Sequence, residues 1–118
     1  MEKNAWVKVF PGAITVTDND ATVIEMNEDS ANKLFKADGG YEVLGRNAIT
    51  CHPPRTQEKV RQIYETHSFN VYSITKNGQK FLVYQAPYFI KEKFSGVVEL
   101  FLELPDEIPH FDRDNPKK

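Results

Sequence analysis

Cys51 and His52 stand side by side, immediately before Pro53 and Pro54. A thiol and an imidazole can ligate a metal or a haem iron, and a thiol can also report redox state. The chain has a single cysteine, and a closed zinc site takes about four ligands. So this pair suits a one-ligand role, as in haem or redox sensing, better than a closed metal centre. The competing reading is structural. His52 would bond backbone at a loop-to-helix junction, and Cys51 would pack as a small apolar group. His67 poses the same choice: a pocket-facing axial ligand, or a cation favoured by the dipole in the last turn of a helix.

A second set is aromatic. Phe35, Tyr64, Tyr72, Tyr84 and Phe101 recur through the segments expected to meet in the core. Aromatic walls with tyrosine hydroxyls suit a flat ligand, and they also simply fill a small core. With His52 and His67 they form the candidate ligand-binding set. Tyr72 and Tyr84 fall on neighbouring hairpin strands, where they are placed to pair across. Arg55, Lys59 and Arg61, after Pro54, could meet an anion or face solvent. No spacing brings a nucleophile, a base and an orienting group together, and no phosphate-cradling glycine loop, G-x-S-x-G or H-E-x-x-H is present. The expected activity is therefore binding rather than catalysis, and no metal site is expected.

The elements that must position these groups read as mixed α and β. Residues 2–10 carry Ala5, Trp6, Val9 and Phe10 at helical spacing, and Pro11-Gly12 ends that helix. Trp6, Val9 and Phe10 form its apolar face, expected to meet a second copy or to fold back over the sheet. Residues 14–17 and 22–26 read as a hairpin around Asp18-Asn19-Asp20. Asn27 offers a helix-capping oxygen to a short helix striped by Ala31, Leu34 and Phe35, and Gly39-Gly40 stops it. A loose stretch, 41–51, leads to a helix opened by Pro53-Pro54. Val60, Ile63, Tyr64 and His67 share one face of it. Strands at 69–75 and 80–88 flank Asn77-Gly78, the strongest short-range hairpin signal, and Lys91-Glu92-Lys93 reads as a solvated loop. The last strand, 95–104, sets Val98, Leu100, Leu102 and Leu104 on one side and Val97, Glu99, Phe101 and Glu103 on the other.

The expected fold class is α+β: a five-stranded antiparallel sheet with short helices on one face. The division is an N-terminal amphipathic helix at 1–11, a domain at 12–104, and a proline- and charge-rich tail at 105–118.

The 118 residues make one domain, with 40% apolar and 27% charged side chains. The net charge of −2 gives no basic excess for nucleic acid or anionic lipid. No apolar run approaches the roughly 18 residues of a membrane span. The charged N-terminus lacks the apolar core of a signal peptide. These features lead us to expect a reduced, cytoplasmic protein without membrane or nucleic-acid partners.

The order of these elements resembles the PAS sensor domain over roughly residues 12–104. Asn27-Glu28-Asp29-Ser30-Ala31-Asn32-Lys33-Leu34-Phe35 is similar to that family's N-x-x-A-x-x-L-F helix. Leu44-Gly45-Arg46-Asn47 is similar to the turn that follows it. Cys51-His52-Pro53-Pro54 resembles a bacterial or archaeal PAS subgroup, some members of which also carry a haemerythrin-like domain. The resemblance implies a sensory module that binds a small molecule or a protein partner and signals through altered contacts, typically as a homodimer. The cofactor stays open. Haem is one option through His52 or His67, although haem-binding oxygen sensors of this family place their histidine earlier in the helix, where this chain has 56–60. The light-sensing flavin members need an N-C-R-F-L-Q-like helix that is absent here. A pure dimerisation module with a filled core is the other alternative. With the tail following so closely on the last strand, we expect either a piece of a longer signalling protein or a stand-alone domain acting through a partner.

Overall fold

The computed structural model describes residues 3–115. Glu2 of the expected first helix and residues 116–118 of the expected tail lie outside the described residues. The elements are α1 (Ala5–Val9), β1 (Ala13–Thr17), β2 (Val23–Met26), α2 (Pro54–Thr66), β3 (Asn70–Lys76), β4 (Gln79–Ile90) and β5 (Lys93–Leu104). The strands form one antiparallel sheet in the order β2-β1-β5-β4-β3. The first and last strands are therefore neighbours, and the helical middle of the chain crosses one face of the sheet.

Local chemistry accounts for most of these bounds. α1 stops at Val9 because Phe10, with φ −54° and ψ 131°, is already extended; a residue before proline is pushed out of the helical region. This shortens the helix expected at 2–10. Asn27 caps the next helical segment, since its Oδ1 accepts the Ser30 N–H at 3.0 Å. That segment widens to a π-helical turn at Ser30–Leu34, closed by Phe35 N–H to Ser30 O at 2.9 Å, and 3-10 turns follow at Lys36–Asp38 and Gly40–Val43. Pro54 opens α2 at its first position, and Val60 and Ile63 point into the core.

The β3–β4 turn puts Asn77 at φ 52° and Gly78 at φ 79°, the twist that a two-residue hairpin needs. The β4–β5 turn does the same with two residues that have no special tolerance for it: Lys91 at φ 51° and Glu92 at φ 67°. What the sequence presents as a solvated loop is thus a tight hairpin, and both flanking strands run longer than expected.

The two-residue turn at 77–78 also sets the register. It pairs Tyr72 with Val83 and Val71 with Tyr84, so Tyr72 and Tyr84 lie on opposite faces of the sheet and do not pair across it. Tyr84 sits on the outer face beside Leu100, its partner on β5, with its ring edge-on to Phe69.

The helix-facing side of β5 carries Val97, Glu99 and Phe101. The all-apolar row of Val98, Leu100 and Leu102 faces outward, beside Ile14 and Val16 of β1. α1 lies over Ile14 and Val16 across a cleft of about 220 Å³. The apolar core under the helices is small. Val23, Met26, Ala31 and Val43 are buried, with Phe35, Ala48 and Cys51 packed against them. No helix among the described residues is long and apolar enough to cross a membrane.

Candidate functional site

The inner face of the sheet is polar where a core is ordinarily apolar. Thr15, Thr17 and Gln85 point from it toward the helices and are almost fully buried. A buried polar group is costly unless it is bonded. Among the described residues, no fully buried side-chain nitrogen or oxygen lacks a partner. The Thr15 hydroxyl lies 2.6 Å from that of Ser30, and the Thr17 hydroxyl lies 2.6 Å from that of Tyr64. These two contacts pin the helical middle to β1.

A longer chain of bonds crosses the sheet. Asn70 Nδ2, at the start of β3, donates to Gln85 Oε1 at 2.7 Å. Gln85 Nε2 donates to Glu99 Oε2 at 2.6 Å. Glu99 Oε2 in turn lies 3.7 Å from His52 Nε2, and His52 Nδ1 lies 2.7 Å from Ala48 O. An Nδ1–H donating to that carbonyl fixes the ring, so the Nε2 side addresses Glu99. Burial, the largest influence, lowers the His52 pKa. The hydrogen bond and charge of Glu99, with the Ala48 carbonyl, outweigh it, and the net shift is upward. Register explains the pairing: Gln85 and Glu99 are direct cross-strand partners, and Asn70 faces Gln85.

These groups border two spaces. One is a small cavity of about 30 Å³ between Thr15, Thr17, Tyr64, Gln85 and Glu99, with Phe35, Cys51 and His52 also in its wall. That is room for one or two waters. The other is an open cleft of about 210 Å³ lined by Phe35, Cys51, His52, Tyr72, Ile74, Val83, Glu99 and Phe101, with Asp38 at its edge. Glu99 and His52 belong to both walls.

Five of the seven candidates therefore border these spaces. Phe35 and His52 line both, Tyr64 lines the small cavity, and Tyr72 and Phe101 line the cleft. His67 and Tyr84 do not. His67 takes a left-handed conformation at φ 55° as the cap of α2, which ends the helical phase and turns it outward. Its ring stacks on Phe94 at 4.0 Å and meets Phe89 edge-on, tying the end of α2 to the β4–β5 hairpin. Arg55, Lys59 and Arg61 are exposed; Arg61 pairs with Glu58 at 3.1 Å, one turn back on α2. Trp6 and Val9 are each 65% exposed, while Phe10 is half-buried.

Gln85, Glu99 and Asn70 were not among the candidates. The only signal for them was a polar residue in an otherwise apolar strand, and that gains meaning only once the register joins the strands.

The surroundings of Cys51 and His52 favour the structural reading of the pair over redox or haem chemistry. Burial, the largest influence, raises the Cys51 pKa; the nearby charge of Arg46 opposes this and that of Asp38 adds to it, and a raised thiol is a poor nucleophile. His52 Nδ1 is engaged by Ala48 O and Nε2 faces Glu99 Oε2 at 3.7 Å, so iron at either nitrogen would displace one of these contacts, and a macrocycle does not fit the space of one or two waters. Neither space has lysine or arginine in its wall to meet haem propionates. Among the described residues, no cluster of three or more His, Cys, Asp or Glu side chains is placed to hold a metal ion.

No protein-family model matches the sequence, and no curated protein matches it. Solved structures do resemble it. The C-terminal domain of a Streptococcus mutans protein superposes with a TM-score of 0.67 at 23% identity, covering 82% of this chain and 78% of that one. A sensory box sensor histidine kinase from Vibrio cholerae gives 0.61 at 12% identity, over 85% of this chain and 86% of that one. The PAS domain of an HTR-like protein from Haloarcula marismortui gives 0.55 at 17% identity, over 85% and 87%. The likeness is one of fold: an open five-stranded antiparallel sheet with short helices on one face, the PAS arrangement.

Proposed function

We propose that the chain is a sensory module of the PAS type that takes up a small molecule between its sheet and its central helices. Occupancy of that site would alter contacts made through the outer sheet face and α1. The observation that carries this reading is the bonded line from Asn70 through Gln85 to Glu99, which His52 faces at 3.7 Å beside an open cleft. A polar network set among aromatic and aliphatic walls is the usual make-up of a small-molecule site.

The module acts by binding. The thiol in the wall is held protonated, and the imidazole is bonded through Nδ1 to Ala48 O and turned through Nε2 toward Glu99. The signal has a physical route, because β5 is shared. Glu99 and Phe101 face the cleft from the strand whose other face presents Leu100 beside Ile14 of β1, in the sheet face that α1 covers at Ile14 and Val16. A ligand shifts the equilibrium only by its difference in affinity for the two arrangements. Trp6 and Val9, exposed on α1, fit contact with a second copy of the chain. The run Cys51-His52-Pro53-Pro54 supports placement in the bacterial or archaeal subgroup that carries this motif.

A second reading is a dimerisation module whose interior is filled by its own side chains, favoured by the small cavity of only about 30 Å³. Thermal melting against a metabolite panel separates the two, because a ligand of the native state raises the melting temperature by mass action. The sensory reading expects at least one saturable rise, and one that Ile74→Trp, which narrows the cleft, abolishes. No rise with any compound would favour the filled module. Sedimentation of Trp6→Ala tests the contact through α1: the sensory dimer weakens, and unchanged self-association removes α1 from the interface.

A further inference from the structure

Resting on the ligand-site reading above, we infer that the cleft selects a small planar molecule that donates hydrogen bonds, neutral or cationic, and rejects anions, with Glu99 as the recognising carboxylate. The charges in the walls are one-sided. Glu99 and Asp38 border the cleft, and neither lysine nor arginine lines it or the cavity behind it; Arg46 reaches the rim from outside these walls, its guanidinium bonding the Asp38 carbonyl at 3.1 Å. His52 does not reverse the balance. It offsets Glu99 only while protonated, and its Nδ1 is committed to Ala48 O while Nε2 faces Glu99 itself at 3.7 Å, so neither nitrogen is turned to an incoming anion.

Glu99 has capacity to spare. Gln85 Nε2 and His52 Nε2 both address Oε2, at 2.6 and 3.7 Å. Oε1 has no partner among the described residues. Every fully buried side-chain oxygen is satisfied, so Oε1 is an oxygen that opens to space rather than one sealed in protein. The Glu99 side chain is only 15% exposed, which leaves that opening narrow. A carboxylate so placed strengthens a bond from an N–H donor and repels a second anion, because little water screens either effect.

Shape sets the rest of the class. Phe35, Tyr72, Ile74, Val83 and Phe101 provide flat, apolar walls. At about 210 Å³ the cleft falls below the roughly 300 Å³ at which drug-sized sites begin. The ligand is therefore fragment-sized: a planar ring bearing an amine, an amide or a ring N–H.

Benzamidine and benzoate test this as near-isosteric probes of opposite charge, titrated into isotopically labelled protein near neutral pH while backbone amide shifts are followed. Benzamidine is expected to move the amides of Tyr72, Ile74, Glu99 and Phe101 and to bind at least about ten-fold more tightly than benzoate. In Glu99→Gln, which keeps an oxygen to accept the Gln85 bond, that preference should collapse to about even. The wild-type comparison stands without the variant, and the dispersion of the variant's own spectrum reports its folding. If benzoate binds as well as benzamidine, or a folded Glu99→Gln keeps the preference, the ligand class is wrong and the site survives. If neither probe moves those amides, the site itself is refuted, and the inference falls with it.

Discussion

The hydroxyls of Thr17 on β1 and Tyr64 on α2 lie 2.6 Å apart, across 47 residues of sequence. Thr17 also bonds the backbone of Val97 on β5, accepting from its N–H at 3.3 Å and lying 3.4 Å from its carbonyl oxygen. One buried threonine thus joins the long helix to β1 and to the central strand β5.

Tyr64→Phe should cost about 1 kcal/mol, because Thr17 keeps its Val97 contacts when the phenol is lost. The phenol also titrates late. Burial, the largest influence, raises the Tyr64 pKa from 10.0 to about 12; the Thr17 bond opposes the rise, while the charges of Glu99 and Asp18 add to it. The unfolded chain loses this proton first, so the contribution to stability is complete below pH 10 and is lost as pH rises toward 12. Urea melts across that window should fall more steeply for the parent than for Tyr64→Phe.

Asn27→Ala should be among the most damaging single changes. Its Oδ1 accepts from Ile14 N–H at 2.9 Å and Ser30 N–H at 3.0 Å, and its Nδ2 donates to Val7 O at 3.1 Å and Gly12 O at 2.8 Å. The residue is 3% exposed, so the truncation strands several backbone groups. A loss of about 3 kcal/mol is expected by chemical denaturation. A loss below about 1 kcal/mol would mean that water replaces the side chain.

Gly96→Ala should disrupt the centre of the sheet. Gly96 has φ 151°, and a Cβ there would collide with the carbonyl oxygen of Thr17 and stand 2.8 Å from its carbonyl carbon. The neighbour is backbone of the adjacent strand and cannot rotate away. The expected cost is ~3 kcal/mol or more, with changed amide shifts along β1 and β5.

His52 should titrate above its ordinary 6.5 in the folded parent. Stability from the His52–Glu99 pair is then full below 6.5 and is lost as pH rises through the folded pKa. In Glu99→Gln the charge is gone and burial acts with little opposition, so the imidazole pKa should drop below 6.5 and the slope should reverse sign. Ring-proton shifts followed by NMR check both. An unmoved His52 pKa in the variant would dissolve the pair.

Legibility followed range. Asn77-Gly78, the Asn27 cap and Pro54 at the start of α2 are local devices, and each stands where its chemistry puts it. Val60 and Ile63 carried the helical phase correctly; His67 lost it because a left-handed cap broke the phase at that residue. The Lys91-Glu92 turn carries neither glycine nor asparagine and gave no signal. The row Val98, Leu100, Leu102 is the more apolar side of β5, yet it faces away from the central helices. The inner row is recognised by what it bonds, and those bonds depend on register between distant strands.

The central claim is that the space beside Glu99 is where this fold meets its ligand. A fragment library screened by amide shifts on the labelled protein tests it most directly. The account predicts that binders cluster on Tyr72, Ile74, Val83 and Glu99, and that the strongest also shift Leu100 and Val7 on the far side of the sheet. Binders gathered instead in the groove of Pro11, Lys76 and Phe81, or none at all, would contradict it.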